Sequence, residues 1–237
     1  MGRNNWFEFK QFRIEQQKAA MKVGTDGVLL GAWSPVADAQ RILDIGTGTG
    51  LIALMVAQRS NASIDAVEID KLACEEAGFN FAQSPWNDRL KIFNTDFQLF
   101  ANLPFEPYDL IVSNPPFFVN SLKTQNAALS VARHNDVLTF DQLVTCARKL
   151  LSNTGRLCVI IPFTSCEEFR GCARLAGFYL RHEMQVIPKL GRAPKRVLLE
   201  FTVQPCYPIN NQLVILDEDG CYTGDYKALT APFYPAF

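Results

Sequence analysis

A chain of 237 residues in which 48% are hydrophobic has the material for a full core. Its 23 basic and 24 acidic residues nearly cancel, which excludes a polycation that coats nucleic acid by bulk charge and leaves only a local patch for that purpose. Seven cysteines, an odd number with no C-x-x-C pair, exclude a zinc ribbon and a disulfide framework, and no apolar run is long enough to cross a bilayer; a reducing cytoplasm is expected.

Residues 6–14 alternate aromatic and polar side chains, as a half-buried strand or hairpin does. A small-residue loop follows, and Thr25 or Asp26 is placed to cap a short helix beginning near Gly27. From residue 41 short apolar runs alternate with helical patterns. Strands are expected at 41–45, 63–68, 90–93, 108–113 and 155–161, and helices at 50–58, 71–83, 140–151 and 166–176. Such alternation predicts an α/β fold, a doubly wound and mostly parallel sheet covered on both faces. Runs 179–187 and 195–204 have no helix between them, so they are expected to form an antiparallel hairpin at one sheet edge, turned by residues 188–194. No repeat or linker divides the chain, so residues 1–237 read as one domain, with residues 1–40 leading into a sheet built from residues 41–237.

Where the first parallel strand hands over to a helix stands Asp44-Ile45-Gly46-Thr47-Gly48-Thr49-Gly50. Three glycines let the backbone turn tightly against a ligand. The dinucleotide fingerprint is G-x-G-x-x-G; here the pattern is G-x-G-x-G, Leu51 replaces the third glycine, and an acid precedes it. That difference favours a sulfonium nucleoside, S-adenosyl-L-methionine, whose amino group needs an acceptor such as Asp44, over a pyrophosphate. Glu68 closes the next strand, 68 − 44 = 24 positions on, near the offset at which a carboxylate meets ribose hydroxyls. Asp96 is placed to accept from an adenine amino group, with Phe97 beside the ring. Singly, each has a plainer reading: a lone glycine loop is a weak signal, Glu68 could be a solvated strand end, and Asp96 a turn residue. At the carboxyl ends of three successive strands, they together favour a cofactor site.

Ser113-Asn114-Pro115-Pro116-Phe117-Phe118 follows the fourth strand, and its two prolines fix the backbone in one shape. An exocyclic amine is a poor nucleophile because its lone pair is delocalised into the ring. The Asn114 side-chain oxygen and the Pro115 carbonyl could accept both amine hydrogens, while Phe117, with Phe118, stacks on the base. The plainer reading is a rigid turn with aromatics filling the core. No general base is demanded, since the alkylated amine loses its proton to water, and His134 reads as a loop histidine.

Asp-x-Gly-x-Gly-x-Gly, a ribose acid and Asn-Pro-Pro-Phe together resemble the class I amino-methyltransferases. Nearly the whole chain is similar to the bacterial tRNA (adenine-N6)-methyltransferase family that modifies adenine 37 of tRNA1(Val). Phe9-Lys10-Gln11-Phe12, residues 22–33, Asn114-Pro115-Pro116-Phe117, Arg196-Val197-Leu198-Leu199 and Tyr226-Lys227-Ala228-Leu229-Thr230 carry that resemblance. It implies a seven-stranded Rossmann-like sheet and a lid, residues 22–27 with Lys22, Thr25 and Asp26, closing over the methionine end of the cofactor. It also implies a tRNA substrate and an enzyme that needs neither metal nor membrane and acts as a monomer. Phe117 stands where the family often has tyrosine, which keeps the stacking surface without the hydroxyl.

Other amine-methylating classes share the tetrapeptide. Protein glutamine N5-methyltransferases would carry a helical domain ahead of the glycine loop, whereas only 43 residues precede Asp44 here, and they read as strand and loop. Ribosomal RNA guanine-N2 and DNA adenine methyltransferases stay open, as does a silent RNA-binding module, which would need neither Asn114 nor the cofactor acids. Lys189, Arg192, Lys195 and Arg196 crowd one turn, and Lys10, Arg13, Lys18 and Lys22 lie near the N-terminus. Both clusters read most plainly as solvated surface; both could also flank a base entering the pocket.

Overall fold

The computed structural model describes residues 4–115 and 138–235. Strands β1 (Trp6–Glu8) and β2 (Arg13–Glu15) pair antiparallel as a small separate sheet. After helix α1 (Thr25–Trp33), β3 (Arg41–Ile45), α2 (Leu51–Arg59), β4 (Ser63–Glu68), α3 (Lys71–Ala82), β5 (Leu90–Asn94), α4 (Phe97–Phe100) and β6 (Tyr108–Ser113) follow in strict alternation. Then come α5 (Phe140–Leu150), β7 (Leu151–Pro162), α6 (Cys166–Leu175), β8 (Tyr179–Lys189), β9 (Arg196–Thr202), β10 (Ile209–Leu216) and α7 (Gly224–Thr230).

The main sheet runs β10-β8-β9-β7-β6-β3-β4-β5, with β9 antiparallel to both of its neighbours and every other pairing parallel. Successive side chains of a strand point to opposite faces, and the two faces collect different helices. Ile42, Leu110, Val112, Cys158, Ile160 and Leu198 face α1, α2, α3 and α7, whereas Leu43, Ile45, Ile111, Val159, Val197 and Leu199 face α4, α5 and α6. Each such side chain contributes about 1.5–3 kcal/mol on burial.

Three expectations need correction. The sheet has eight strands among the described residues rather than seven, because β10 adds to β8. Its first half, Ile209 to Gln212, is exposed, and only Leu213 is buried in the core, so the strand lacks the two-sided apolar run that marked the others. The β8–β9 hairpin is antiparallel as expected but not at an edge: β9, buried along nearly its whole length, lies inside the sheet, and β10 covers β8. Finally, Gly24 is the residue before α1 and no side chain caps that helix; Thr25 and Asp26 lie in its first turn, and Asp26 is drawn to Arg196 instead.

The segment after α7 folds back onto the small β1–β2 sheet. Lys10 N–H donates to the Phe233 carbonyl at 2.8 Å, Lys10 Nζ to that of Ala231 at 2.6 Å, and Tyr234 packs its ring near Phe7 and Phe9. Among the described residues no helix is long and apolar enough to cross a membrane.

Candidate active site

Strand order reverses at β3, with β4 and β5 on one side and β6 and β7 on the other. Loops leaving the carboxyl ends at such a point diverge to opposite faces and leave a crevice. A cavity of about 260 Å³ opens there. Ile45, Gly46 and Gly48 line it after β3, Val67, Glu68 and Ile69 at the end of β4, Thr95, Asp96 and Phe97 after β5, and Ser113, Asn114 and Pro115 after β6.

The glycine loop is held from below by two carboxylates. Asp44 is fully buried; its Oδ2 accepts from Thr47 Oγ1 at 2.6 Å and from Ala53 N–H at 3.1 Å, tying strand, loop and α2 together. Oδ1 is buried with no partner among the described residues. Burial first, and the nearby Glu68 charge after it, push the Asp44 carboxyl up to about 7, against the two hydrogen bonds that lower it. Glu68 Oε2 accepts from Gly48 N–H at 2.8 Å, with Gly48 at φ 57°, and Oε1 accepts from Asp70 N–H at 2.9 Å. Gly50, at φ 82°, faces away from the cavity; a Cβ there would stand 2.5 Å from Phe81.

Asp96 joins the turn reading and the site reading. Its Oδ1 caps α4 through Gln98 and Leu99 N–H at 2.7 and 3.0 Å, while the residue lines the cavity with buried Phe97. Asn114 is half-buried, and its Oδ1 is buried in the cavity wall with no partner among the described residues. Pro115 is buried beside it. Pro116, Phe117, Phe118 and His134 lie outside the described residues.

Glu68, Asp70 and Asp96 put three carboxylates on the wall, and among the described residues no lysine or arginine lines it. A pyrophosphate would face repulsion there, whereas a cationic ligand is favoured. The two orphan acceptors, Asp44 Oδ1 and Asn114 Oδ1, call for donors, since a buried acceptor left unpaired costs about 1–3 kcal/mol.

Lys22, Thr25 and Asp26 do not line the cavity; Ala19, Ala20 and Met21 do. Lys22 Nζ reaches the Asn4 carbonyl at 3.2 Å, and Asp26 meets Arg196 Nε at 2.7 Å. Apolar residues give no chemical signal in sequence, so the wall-forming role of 19–21 is not legible there, nor is that of Leu138. Of the basic turn, Arg192 and Lys195 are exposed and Lys189 and Arg196 half-buried. Arg196 pairs with Pro162 at the carboxyl end of β7, so the turn stands at the same sheet edge as the cavity. The N-terminal basic residues are engaged locally: Lys10 as above, Arg13 with Glu15 at 3.2 Å and over the Trp6 ring, Lys18 with Glu75 at 3.2 Å.

An open doubly wound sheet, a glycine loop braced by acids and an Asn-Pro pair after the fourth parallel strand define a methyltransferase of the small-domain class; residues 22–168 match the Methyltransferase small domain family, to which the chain belongs. The tRNA1(Val) (adenine(37)-N6)-methyltransferase of Bacteroides fragilis is 45% identical, with 97% of each chain covered, and that of Phocaeicola vulgatus 47% identical, with 98% of each covered. The chain thus belongs to the tRNA1(Val) (adenine(37)-N6)-methyltransferase family. Among solved structures, a predicted O-methyltransferase from Agrobacterium tumefaciens shares the fold with a TM-score of 0.69 at 18% identity, covering 88% of this chain and 96% of that one.

Proposed function

We propose that the chain transfers a methyl group from S-adenosyl-L-methionine to N6 of adenine 37 in the anticodon loop of tRNA1(Val). The observation that carries this reading is the buried Oδ1 of Asn114, without a partner among the described residues, in the wall of an acid-lined cavity at the switch point of the sheet. When bound, S-adenosylmethionine supplies an electrophilic methyl group on a sulfonium centre. Glu68 accepts from the ribose hydroxyls, with its two oxygens already oriented by Gly48 and Asp70 N–H. Asp44 receives the amino end, directly or through water, and braces the loop of Gly46, Gly48 and Gly50 through Thr47 and Ala53. Asp96 and Phe97 receive the adenine.

Asn114 Oδ1 and the Pro115 carbonyl accept the two hydrogens of the target amine and turn its lone pair toward the methyl group; Phe117 stacks on the base. The rate comes from alignment and exclusion of water. An anticodon-loop purine is single-stranded and splays out at small cost. Lys189, Arg192, Lys195 and Arg196, at the cavity's edge of the sheet, supply phosphate contacts. A substrate of this kind places the enzyme in the cytoplasm.

The test is transfer of a labelled methyl group to a tRNA1(Val) transcript, to the same transcript with guanine at position 37, to DNA and to total protein. Label in the first alone supports the proposal; label in the guanine transcript, in DNA or in protein would replace it with the corresponding alternative.

A further inference from the structure

Outside the cavity, α3 presents two buried polar side chains, one turn apart, that the proposed chemistry does not use. Glu76 is 5% exposed and Asn80 2%. Glu76 Oε1 accepts from the main-chain N–H of Gln17 at 2.6 Å and of Lys18 at 2.8 Å, and its Oε2 accepts from that of Ala19 at 2.8 Å. Asn80 exchanges hydrogen bonds with the Glu15 main chain and donates to the Thr49 carbonyl in the glycine loop, each at 2.9 Å. Among the described residues no cation pairs with Glu76; the neighbouring Glu75 takes Lys18 Nζ at 3.2 Å.

A carboxylate withdrawn from water without a cation is costly unless strong donors replace its hydration. Three consecutive N–H groups converging on one carboxylate do so, and in return they fix the backbone that carries them. The backbone fixed here runs directly into Ala19, Ala20 and Met21, which wall the cavity, and two further wall residues, Asp70 and Ala73, are the N-cap and part of the first turn of the same helix. One rigid helix thus carries part of the wall and the anchor of the segment that closes it.

We propose that Glu76 is a positioning residue for the cofactor: it holds residues 17–19 so that the wall at 19–21 stands ready before the ligand arrives. This rests on the reading of the cavity as the S-adenosylmethionine site. A site competent only a fraction of the time binds more weakly by that fraction. Glu76→Gln sets an amide NH2 against one of the three N–H groups and should loosen the segment.

The experiment combines hydrogen exchange of the amides at 17–19 with calorimetric binding of S-adenosylhomocysteine and steady-state kinetics. In Glu76→Gln the amides should exchange faster, the dissociation constant should rise roughly tenfold for a segment in place a tenth of the time, and KM for tRNA should stay unchanged. Glu75→Gln, at the exposed neighbour, should change none of these. If Glu76→Gln unfolds the chain, Lys18→Pro removes one donor at an exposed position and should shift exchange and affinity in the same direction. Unchanged affinity in a folded variant, whether or not exchange accelerates, overturns the proposal alone. Failure of the unsubstituted protein to bind S-adenosylhomocysteine overturns the cofactor reading and the proposal with it.

Discussion

Two regions at the carboxyl edge of one sheet carry opposite charge and are built in opposite ways. Asp44 beneath the glycine loop and Glu68 and Asp96 on the cavity wall each accept hydrogen bonds from main-chain N–H groups, so their oxygens are fixed before any ligand binds. At the β8–β9 turn, Arg192 and Lys195 reach into solvent. A small ligand recognised atom by atom rewards a rigid frame, whereas a polyanion recognised by its phosphates is served by solvated charges that adapt. Substitutions of these acids should therefore alter cofactor affinity and stability together, and those in the second region affinity for RNA alone.

The largest effect is expected from Asn114→Ala. Turnover should fall roughly a hundred- to a thousand-fold, the scale of removing one positioned hydrogen-bonding group, with the cofactor dissociation constant nearly intact by calorimetry. Retention of most turnover would overturn the amine-positioning role. Next comes Glu68→Ala, for which cofactor binding should weaken by on the order of 1.5–3 kcal/mol for each charge-assisted bond removed. The melting temperature should fall as well, because the amides of Gly48 and Asp70 lose their acceptor. A drop in stability without loss of affinity would confine Glu68 to bracing the loop.

Lys189, Arg192 and Lys195 replaced together by Ala should raise KM for tRNA roughly tenfold. The salt dependence should flatten by about 0.7 in log–log slope for every phosphate that the variant no longer neutralises. Cofactor binding and melting temperature should not move. An unchanged salt slope would place the RNA surface elsewhere. A further effect concerns pH and is read in stability rather than in activity. The Asp44 carboxyl ionises at about 7 in the folded chain and near 3.8 when unfolded. Between these values the folded state keeps a proton the unfolded state has released, so stability falls as pH rises through the window and levels off above it. Compared with Asp44→Asn, the unsubstituted chain should lose at most about 1.4 kcal/mol per pH unit there, measured by denaturation across a pH series. Parallel curves for the two proteins would show that burial does not hold that proton.

Much of this site is legible in sequence because its signals are local. The glycine loop, Glu68 at a strand end and Asn114 before Pro115 each announce themselves within a few residues, and parallel strands buried on both faces read as apolar runs. What stays hidden depends on partners far along the chain. Glu76 and Asn80 read as ordinary residues of a helical pattern; their meaning lies in main-chain groups of residues 15–19, more than 50 positions away. Asp26 and Arg196 read as members of two separate sites, and their 2.7 Å bond spans 170 positions. The strand β10 escapes a pattern reading because its exposed first half carries no apolar alternation.

The fold-back of the segment after α7 onto β1 and β2 also bears on the order of events during synthesis. Residues 6–21 leave the ribosome early, yet the hydrogen bonds that steady Lys10 end on the carbonyls of Ala231 and Phe233. At about 5–20 residues per second, the β1–β2 pair waits on the order of ten seconds or more for those partners. The parallel strands, the glycine loop and the Glu76 anchor of residues 17–19 can assemble in that interval, and the pair ahead of them is tied down only at the end. A truncation before residue 231 should therefore leave the sheet and the cavity wall formed and the β1–β2 pair loosened.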